Sequence, residues 1–596
     1  MNRKTKAIFA VCALVIPCSS TATAQTPSRI PGTEPLELEG DIASHLVAGV
    51  DRFLLGELEK SIERRRRHWD YDFSSPSAYA ASVEPNRNRL ARIIGVRDKR
   101  IAFDAPELIA TIDRPALVGR ADGYNVYAVR WPTFGDVHGE GLVLVPTDGV
   151  PVADIIAIPD ADHSPEMLAG LIEGVGAASQ FARRLAESGC RVLVPVLISR
   201  QMVKRTVPGG SRNVTLTNRE FLYRSAFEMG RHIIGYEVQK VIAAVDWLAK
   251  TDFKIGVMGW GEGGLIALYA GAIDTRIDAV CVSGYFDSRQ YVWREPIDRN
   301  VFGLLEEFGD AEIASMVVPR ALIIEAAKGP EVVVPAGTRA APGRLATPEI
   351  GTVRSEVQRL KRLLSGSKFE TNIRLLVSGD GVGPYGSDKA LSALLRSLGN
   401  GELVPSGKAP QCLVKSFDLK ARQERQIHEL DRHNQWLLSE STYVRKEFFS
   451  KLDTSSLEKF EKTIEWYREY FYEDVIGKFD YDLLAPNVRS RLTYDEAKYV
   501  GYEVVIDVFS NVIAYGILLV PKDIGQGQRR PVVVCQHGLE GRPQHVVEGD
   551  HRAYHDYAAK LTERGFVTFA PQNLYIFRDR FRTLQRKANP IGKTLF

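Results

Sequence analysis

The chain has 596 residues, of which 44% are hydrophobic and 25% are charged, a composition typical of several packed domains rather than of a disordered chain. Its 77 basic and 74 acidic residues give a net charge of +3, so the overall charge indicates neither a nucleic-acid partner nor a membrane-surface partner. The six cysteines show no C-x-x-C spacing, which argues against a disulfide framework or a structural zinc site. Cys190, Cys281 and Cys535 lie in apolar runs and Cys412 stands alone; we expect them to behave as small buried hydrophobic residues.

The N-terminus has the pattern of a secretory signal. Arg3, Lys4 and Lys6 precede a short apolar stretch, residues 7–17, and Ala22-Thr23-Ala24 forms an A-x-A cleavage site. The pattern predicts a signal peptide over residues 1–24 and a secreted or periplasmic protein. No other stretch approaches the roughly 18 consecutive apolar residues that a membrane span requires.

A helical preface is predicted over residues 25–105. The segment "LLGELEKSIERRRRHW" keeps apolar residues at helical spacing. Its basic run, Arg64–Arg67, is therefore expected on the solvated face of a helix.

The next segments occur twice along the chain. Residues 124–146, "YNVYAVRWPTFGDVHGEGLVLVP", resemble residues 502–521, "YEVVIDVFSNVIAYGILLVP", with Gly141 matching Gly516. Two further matches follow in the same order and at nearly the same offset: 153–162 with 531–540, and 183–195 with 559–571. Three segments in one order indicate two copies of one module.

The pattern of elements predicts the fold class of both copies. Strand-like and helix-like runs alternate through residues 106–400, which favours a mostly parallel, doubly wound sheet with helices on both faces, entered by an antiparallel hairpin. Residues 401–490 are helix-patterned and form a second preface, and 491–596 are the N-terminal part of the second module. We therefore expect an α/β protein with one complete copy and part of another.

The glycine-dense stretch "KIGVMGWGEGGLIALYAG", residues 254–271, admits two interpretations. Gly259, Gly261 and Gly264 spell G-x-G-x-x-G, a dinucleotide-binding turn, and Asp287 lies where a ribose-binding acid could follow. Alternatively, residues 259–263 are the G-x-S-x-G nucleophile elbow of an α/β-hydrolase with glycine in place of the serine.

The second copy favours the elbow. Its strand "VVVCQHGLEG" ends in His537-Gly538, a pattern typical of the oxyanion loop of an α/β-hydrolase. The first copy follows the same order of segments, and its turn at 257–264 falls where the elbow belongs. A dinucleotide fingerprint usually opens its domain at the first strand, whereas about 150 residues of strand and helix come first here.

On these motifs the chain resembles the acetyl xylan esterase and dienelactone hydrolase-like branch of the α/β-hydrolases. The resemblance covers residues 106–400 and 490–596 and is most specific in "QHGLEG" and "AAKLTERGFVTFAP". It implies hydrolysis of carboxylic esters, often acetyl groups on plant polysaccharides, by a serine, an aspartate and a histidine without a cofactor.

The first module departs from this pattern at the nucleophile and the base. Gly261 offers no hydroxyl, and Glu262 beside it is explained by the preference of the first helical turn for a carboxylate better than by a role as replacement nucleophile. No histidine occurs between His232 and His428, so the module has no candidate base downstream of the elbow. Gly263 completes the degenerate motif.

The acid and the oxyanion loop of the first module depart as well. Glu331 or Glu325 could be a vestigial acid, although neither would have a base to orient. Asp160-Ala161 stands where the oxyanion loop has His-Gly, and His163 nearby is expected to be a solvated loop histidine. The sequence therefore predicts a hydrolase fold without a complete triad.

The second module keeps its oxyanion loop, His537, Gly538 and Leu539. The chain continues 25 residues beyond Pro571, whereas Gly261 lies 66 residues beyond the matching Pro195. We therefore expect a fragment of a longer protein. The nearby histidines lack a metal-binding pattern; they are His545, His551 and His555.

Three functional hypotheses follow. The first is a fragment of a secreted esterase. The full-length esterase would act on a small-molecule or polysaccharide ester without metal or cofactor, and the chain as given would be inactive. The alternative is a non-catalytic binding or scaffolding protein. A dinucleotide-dependent enzyme is the weaker alternative. The sequence indicates no oligomeric state.

Overall fold

The computed structural model describes residues 26–112, 114–206, 213–335, 340–399, 401–539 and 541–574. The predicted signal peptide, residues 1–24, lies outside the described residues. The described chain forms two compact units. The smaller unit comprises residues 26–53 and 480–574, and the larger unit comprises residues 54–479.

The strands are, in chain order, β1 (Glu34–Pro35), β2 (Glu107–Leu108), β3 (Leu117–Ala121), β4 (Tyr124–Phe134), β5 (Val137–Pro146), β6 (Asp154–Ile158), β7 (Arg191–Pro195), β8 (Met202–Thr206), β9 (Asn213–Thr217), β10 (Ile255–Trp260), β11 (Ala279–Ser283), β12 (Ala321–Ala326), β13 (Val332–Val334), β14 (Gly343–Leu345), β15 (Ile373–Val377), β16 (Gln411–Cys412), β17 (Arg489–Asp495), β18 (Tyr499–Phe509), β19 (Val512–Pro521), β20 (Val532–Val534) and β21 (Val567–Pro571). The α-helices are α1 (Ile42–Arg64), α2 (Pro76–Ile93), α3 (Pro165–Leu168), α4 (Phe181–Glu187), α5 (Asn218–Glu228), α6 (Ile233–Leu248), α7 (Glu262–Ile273), α8 (Leu304–Glu307), α9 (Asp310–Ser315), α10 (Ile350–Leu363), α11 (Asp388–Leu398), α12 (Leu419–Phe448), α13 (Leu457–Tyr470) and α14 (Tyr557–Thr562).

The larger unit is built on one sheet with the order β15-β12-β11-β10-β6-β7-β5-β4-β3-β16, and β2 pairs with β4. The strands from β15 to β7 are parallel, and β5 joins them in the antiparallel sense. The predicted entry hairpin is formed by β4 and β5. This order, with the glycine turn directly after the central strand β10, is that of an α/β-hydrolase fold, so the predicted fold class is confirmed.

Both faces of this sheet are buried. Along β10, Val257 contributes to a core shared with α2, α6, α7 and α9, whereas Met258 points to a second core shared with α4 and α11. The alternation follows from the two-residue period of a strand. Burial on both faces explains why the central strands are continuously apolar rather than alternating.

The smaller unit contains a sheet with the order β1-β17-β18-β19-β21-β20. Strands β17, β18, β19 and β21 are antiparallel neighbours, and β20 pairs with β21 in the parallel sense. The N-terminal segment belongs to this unit, since Glu34 pairs with Arg489 and Leu46 of α1 packs in a small core with Val505 and Tyr515. The residues predicted as the first helical preface are thus divided between the two units.

Two local expectations are wrong. Helix α1 ends at Arg64, and the next residue, Arg65, is 1% exposed. Its buried guanidinium is satisfied by hydrogen bonds: Nε donates to the carbonyl oxygen of Leu305 (2.9 Å) and Nη2 donates to Ser61 Oγ (3.1 Å). The basic run is therefore not a solvated helix face throughout. Cys412 is exposed, whereas the other described cysteines are buried as expected.

Within the ranges given above, no helix is long and apolar enough to cross a membrane.

Candidate functional site

The glycine turn connects β10 to α7 at the carboxyl edge of the central sheet. Gly261 has φ 59° and ψ −116°, in the region that favours glycine. Its N–H donates to the carbonyl oxygen of Ser283 (3.1 Å), and its own carbonyl oxygen accepts the N–H of Leu265 (3.1 Å). The turn thus places position 261 at a sharp strand-to-helix bend, as an elbow does.

The neighbouring glycines are explained by close packing. A Cβ on Gly259 would lie 1.9 Å from the carbonyl oxygen of Gly263, and one on Gly263 would lie 2.2 Å from that of Ile158. A Cβ on Gly264 would lie 3.0 Å from both the carbonyl oxygen of Ser283 and the Cβ of Tyr285. The helix can approach the strand this closely only without side chains at these positions.

An aspartate occupies the place beside the elbow where an oxyanion would be held. The N–H of Glu262 donates to Asp160 Oδ2 at 2.9 Å. In a serine hydrolase of this fold, the N–H of the residue after the nucleophile stabilises the developing oxyanion. A Cβ on Gly261 would lie 2.6 Å from the same Asp160 oxygen. The larger unit therefore places a fixed carboxylate at its elbow amide.

Arg200 holds this carboxylate in place. Its Nη1 donates to Asp160 Oδ1 (2.7 Å), and its Nη2 donates to Asp160 Oδ2 (3.2 Å) and to Glu262 Oε2 (2.8 Å). Asp160 is 2% exposed. Burial alone would raise the pKa of Asp160, but the positive charge of Arg200 outweighs it and the pKa is lowered. The group is therefore an anion at neutral pH.

Glu262 is fully buried and is bound by three arginines. Its Oε1 accepts a hydrogen bond from Arg219 Nη2 (3.0 Å), and its Oε2 accepts hydrogen bonds from Arg200 Nη2 and Arg299 Nε (each 2.8 Å). Burial would raise the pKa of Glu262, but Arg299, Arg219 and Arg200 together hold it well below its usual range. Both carboxylate oxygens are committed to these ion pairs, which explains the residue better than its position in the first helical turn alone.

Sequence analysis did not identify these three arginines as site residues. They come from separate loop and helix positions: Arg200 follows β7, Arg219 lies in the first turn of α5, and Arg299 lies between β11 and α8. No local motif connects them, because their convergence depends on the tertiary fold. The only sequence signal for this cluster of arginines was Glu262, the acidic residue beside the glycine at the nucleophile position.

The position after β15, where the base is expected, carries aromatic packing. The ring of Tyr385 stacks on that of Trp260 with 3.9 Å between centroids, and the ring of His163 also stacks on Trp260, at 5.0 Å. His163 is half-buried, and burial lowers its pKa, so the expectation of a solvated loop histidine is wrong. The three rings line a cavity of about 590 Å³.

The two candidate acids lie in different environments. Glu325, near the end of β12, accepts Ser283 Oγ (2.5 Å) and the N–H groups of Gly386 and Ser387 (each 2.9 Å), and so connects neighbouring strands to the loop after β15. Glu331 is exposed, lines the same cavity and accepts Thr347 Oγ1 at 3.0 Å. Neither is hydrogen-bonded to a histidine in the described residues.

The predicted oxyanion loop of the second copy lies after β20 in the smaller unit. The N–H of Gly538 donates to the Tyr554 hydroxyl at 2.7 Å, and His537 Nδ1 lies 2.7 Å from the carbonyl oxygen of Gly538. His537 is 3% exposed and burial lowers its pKa, whereas Leu539 is 56% exposed. The Gly538 amide is thus satisfied by Tyr554.

The neighbouring histidines are spread over stacking and ion-pair contacts. His545 stacks on His551 with 4.6 Å between centroids, and His555 pairs with Asp550. Among the described residues, no group of three or more His, Cys, Asp or Glu side chains could hold a metal ion.

No family model matches this chain, and no curated protein matches it. Among solved structures, it is similar to a Bacteroides fragilis protein assigned as an acetyl xylan esterase, with 16% identity, coverage of 59% of this chain and 89% of that chain, and a TM-score of 0.38. It is also similar to a glucuronoyl esterase from Solibacter usitatus, with 11% identity, coverage of 55% and 95%, and a TM-score of 0.37. Likenesses of this degree carry no argument about activity.

Proposed function

We propose that the chain belongs to a secreted, two-module carboxylic-ester hydrolase in which residues 54–479 keep the hydrolase fold but have lost its chemistry. The observation that carries this proposal is the contact between the Glu262 N–H and the Asp160 carboxylate, directly beside a glycine at the nucleophile position. A negative charge already held at this amide repels the oxyanion that ester hydrolysis must form.

The remaining triad positions support the same conclusion. A serine nucleophile needs a base within about 2.6–3.2 Å, and the ring found near the elbow after β15 is that of Tyr385, stacked on Trp260. Burial raises the pKa of Tyr385 further above its usual range, so it is a poor proton acceptor at neutral pH. Glu325 is occupied by backbone and serine donors.

Matched strand registers support the two-module arrangement. Val129 of β4 pairs with Gly141 of β5, and Val504 of β18 pairs with Gly516 of β19, so both partners are displaced by 375 positions. Gly141 also pairs with Pro195, as Gly516 pairs with Pro571.

The two glycines are needed for one physical reason. A Cβ on Gly141 would lie 2.0 Å from the carbonyl oxygen of Val194, and one on Gly516 would lie 2.7 Å from that of Ala570. In each unit the second strand of the hairpin therefore meets its neighbour in the sheet (β7 or β21) too closely for a side chain. A shared steric requirement at equivalent positions favours duplication over coincidence.

The helices that precede the hairpins support duplication as well. The Asp72 carboxylate accepts the N–H two residues on (2.9 Å), and the next residue, Ser75, caps α2. Before α13, the Asp453 carboxylate likewise accepts the N–H two residues on (2.9 Å), and Ser456 caps the helix. On this proposal, the loop of the second copy that includes Gly538 corresponds to an oxyanion loop, and the Tyr554 hydroxyl accepts the Gly538 N–H where an oxyanion would bind.

A dinucleotide site is the less favoured alternative. Pyrophosphate binding uses free N–H groups at a helix N-terminus, but the first N–H of α7 already donates to Asp160. Asp287 is near the expected ribose position in sequence only; its own N–H donates to Asp310 Oδ2 (3.1 Å).

The experiment is hydrolysis of p-nitrophenyl acetate by the purified chain, compared with a heat-denatured sample that reports the background reactivity of surface lysines and histidines. We expect no difference between the two samples. Saturable turnover that a serine-reactive phosphonate inhibits would contradict the proposal.

A further inference from the structure

The larger unit contains a second cavity, away from the elbow cavity, with a volume of about 650 Å³. Its walls come from the C-terminal half of α1, from α5, from α7 and from the segment between β11 and α8. Ligand-binding cavities in proteins typically measure about 300–1,000 Å³ and combine apolar walls with a few polar groups. Neither Gly261 nor Asp160 lines it, although Arg299, which binds Glu262 beside the elbow, also lines this cavity.

Aromatic side chains dominate the walls. Tyr269 and Tyr285 form the buried floor at 2% and 3% exposure, and Trp293 is half-buried. Phe227 and Phe302 lie at the rim with 48% and 76% exposure. Large exposed aromatic side chains grouped around a concave surface are typical of binding sites.

The polar groups on the walls include donors without a partner. Within the described residues, the buried Nη2 atom of Arg299 has no hydrogen-bond partner. No hydrogen bond is made by the Tyr223 hydroxyl or by the Trp293 indole N–H in the part of the chain that the structure describes. Buried guanidinium N–H groups are usually paired, so the unpaired Nη2 points to an absent acceptor.

The charges on the walls balance one another. The charged side chains that line the cavity are four arginines and four glutamates: Arg64, Arg224, Arg289, Arg299, Glu57, Glu228, Glu295 and Glu306. Arg299 is already paired with Glu262 (2.8 Å) and Glu295 (3.1 Å). A ligand carboxylate would meet no uncompensated cation there, whereas an uncharged oxygen would still find the free N–H.

We propose that this cavity binds an uncharged aromatic molecule bearing a carbonyl oxygen. The ring lies among Tyr285, Trp293 and the rim phenylalanines, and the carbonyl oxygen accepts Arg299 Nη2. The inference does not depend on whether any part of the chain hydrolyses esters, since binding is measured separately from turnover.

The test uses coumarin, an uncharged bicyclic carbonyl compound, as the probe and coumarin-3-carboxylate as its charged counterpart. Binding to the full chain is measured by isothermal titration calorimetry at neutral pH. We expect saturable binding of coumarin and at least about tenfold weaker binding of the carboxylate, which is the loss expected when a buried charge is left uncompensated.

Three variants connect binding to this cavity. Leu58→Trp fills it from α1 and should abolish coumarin binding, while Arg299→Lys keeps the positive charge but removes the fork of N–H groups and should weaken binding about fivefold or more. Trp436→Ala removes an aromatic side chain of α12 that is 54% exposed and lies outside the cavity, and should leave binding unchanged.

Circular dichroism and thermal unfolding establish that each variant is folded. No binding of coumarin to the wild-type chain up to its solubility would overturn the proposal. Binding that survives both Leu58→Trp and Arg299→Lys would overturn it too, because the ligand would then lie elsewhere. Tighter binding of the carboxylate than of coumarin would refute the assigned ligand class.

Discussion

Restoring a serine at the elbow, with Gly261→Ser, should destabilise the larger unit without creating an esterase. The new Cβ would lie 2.6 Å from Asp160 Oδ2 and 2.8 Å and 2.9 Å from two ring carbons of Pro330. Holding a side chain at the φ of 59° costs about 1–3 kcal/mol, and overpacking a well-packed site costs about 1–3 kcal/mol. If the two costs add, the free energy of unfolding falls by about 2–6 kcal/mol.

The assay is urea unfolding followed by intrinsic fluorescence, with ester hydrolysis measured on the same samples. Gly261→Ala has the same Cβ without the hydroxyl and should be destabilised to a similar extent. Gly366→Ala is the matched control for backbone strain alone, since Gly366 has φ 89° and its Cβ would meet nothing within 4 Å; it should lose only the strain cost of about 1–3 kcal/mol. Unchanged stability of Gly261→Ser, or turnover above the Gly261→Ala level, would refute the reasoning.

Three further predictions follow from the same site. Glu262→Gln removes the negative charge that three buried guanidinium groups share, and should lower the free energy of unfolding in urea melts by about 3–5 kcal/mol. The control is the exposed Glu331→Gln, which should change this free energy by less than about 0.5 kcal/mol. Equal effects of the two substitutions would contradict the ion-pair network. Burial lowers the pKa of His232 from 6.5 to about 4. Between these two pH values the unfolded chain therefore binds more protons than the folded chain. The free energy of unfolding should fall by up to about 3 kcal/mol as the pH falls from 6.5 to 4. Urea midpoints of His232→Asn should lack this part of the pH dependence, and an unchanged pH profile would show that the imidazole is not buried in its neutral form. Titration with NAD should leave the fluorescence of buried Trp260 unchanged, and saturable quenching that Gly261→Val abolishes would favour the dinucleotide hypothesis.

The sequence predicted the fold of the larger unit because its signals are local. Apolar runs such as β10 and β11 are buried on both faces. The glycines at 259 and 263 mark backbone approaches that exclude a Cβ, and Gly261 has a positive φ. The glycine at the nucleophile position of the motif could also be read directly, since it concerns one residue at one motif position.

The sequence could not predict the ion-pair network beside the elbow. Arg200, Arg219 and Arg299 reach Glu262 from positions separated by tens of residues, and only the folded chain brings them together. The burial of Arg65 was missed for a related reason: its acceptor is the carbonyl oxygen of Leu305, 240 residues away. Long-range acceptors for charged groups leave no periodic pattern in the sequence.

The most direct test of the catalytic silence of residues 54–479 is covalent labelling with a serine-reactive fluorophosphonate. The intact chain is treated under native conditions, its mass is measured, and any adduct is located by peptide mapping against a denatured control. An activated serine would be labelled in the native chain and spared in the denatured chain. We predict that no serine within residues 54–479 behaves in this way. Stoichiometric labelling of such a serine would show that the larger unit retains an activated nucleophile and would contradict the account.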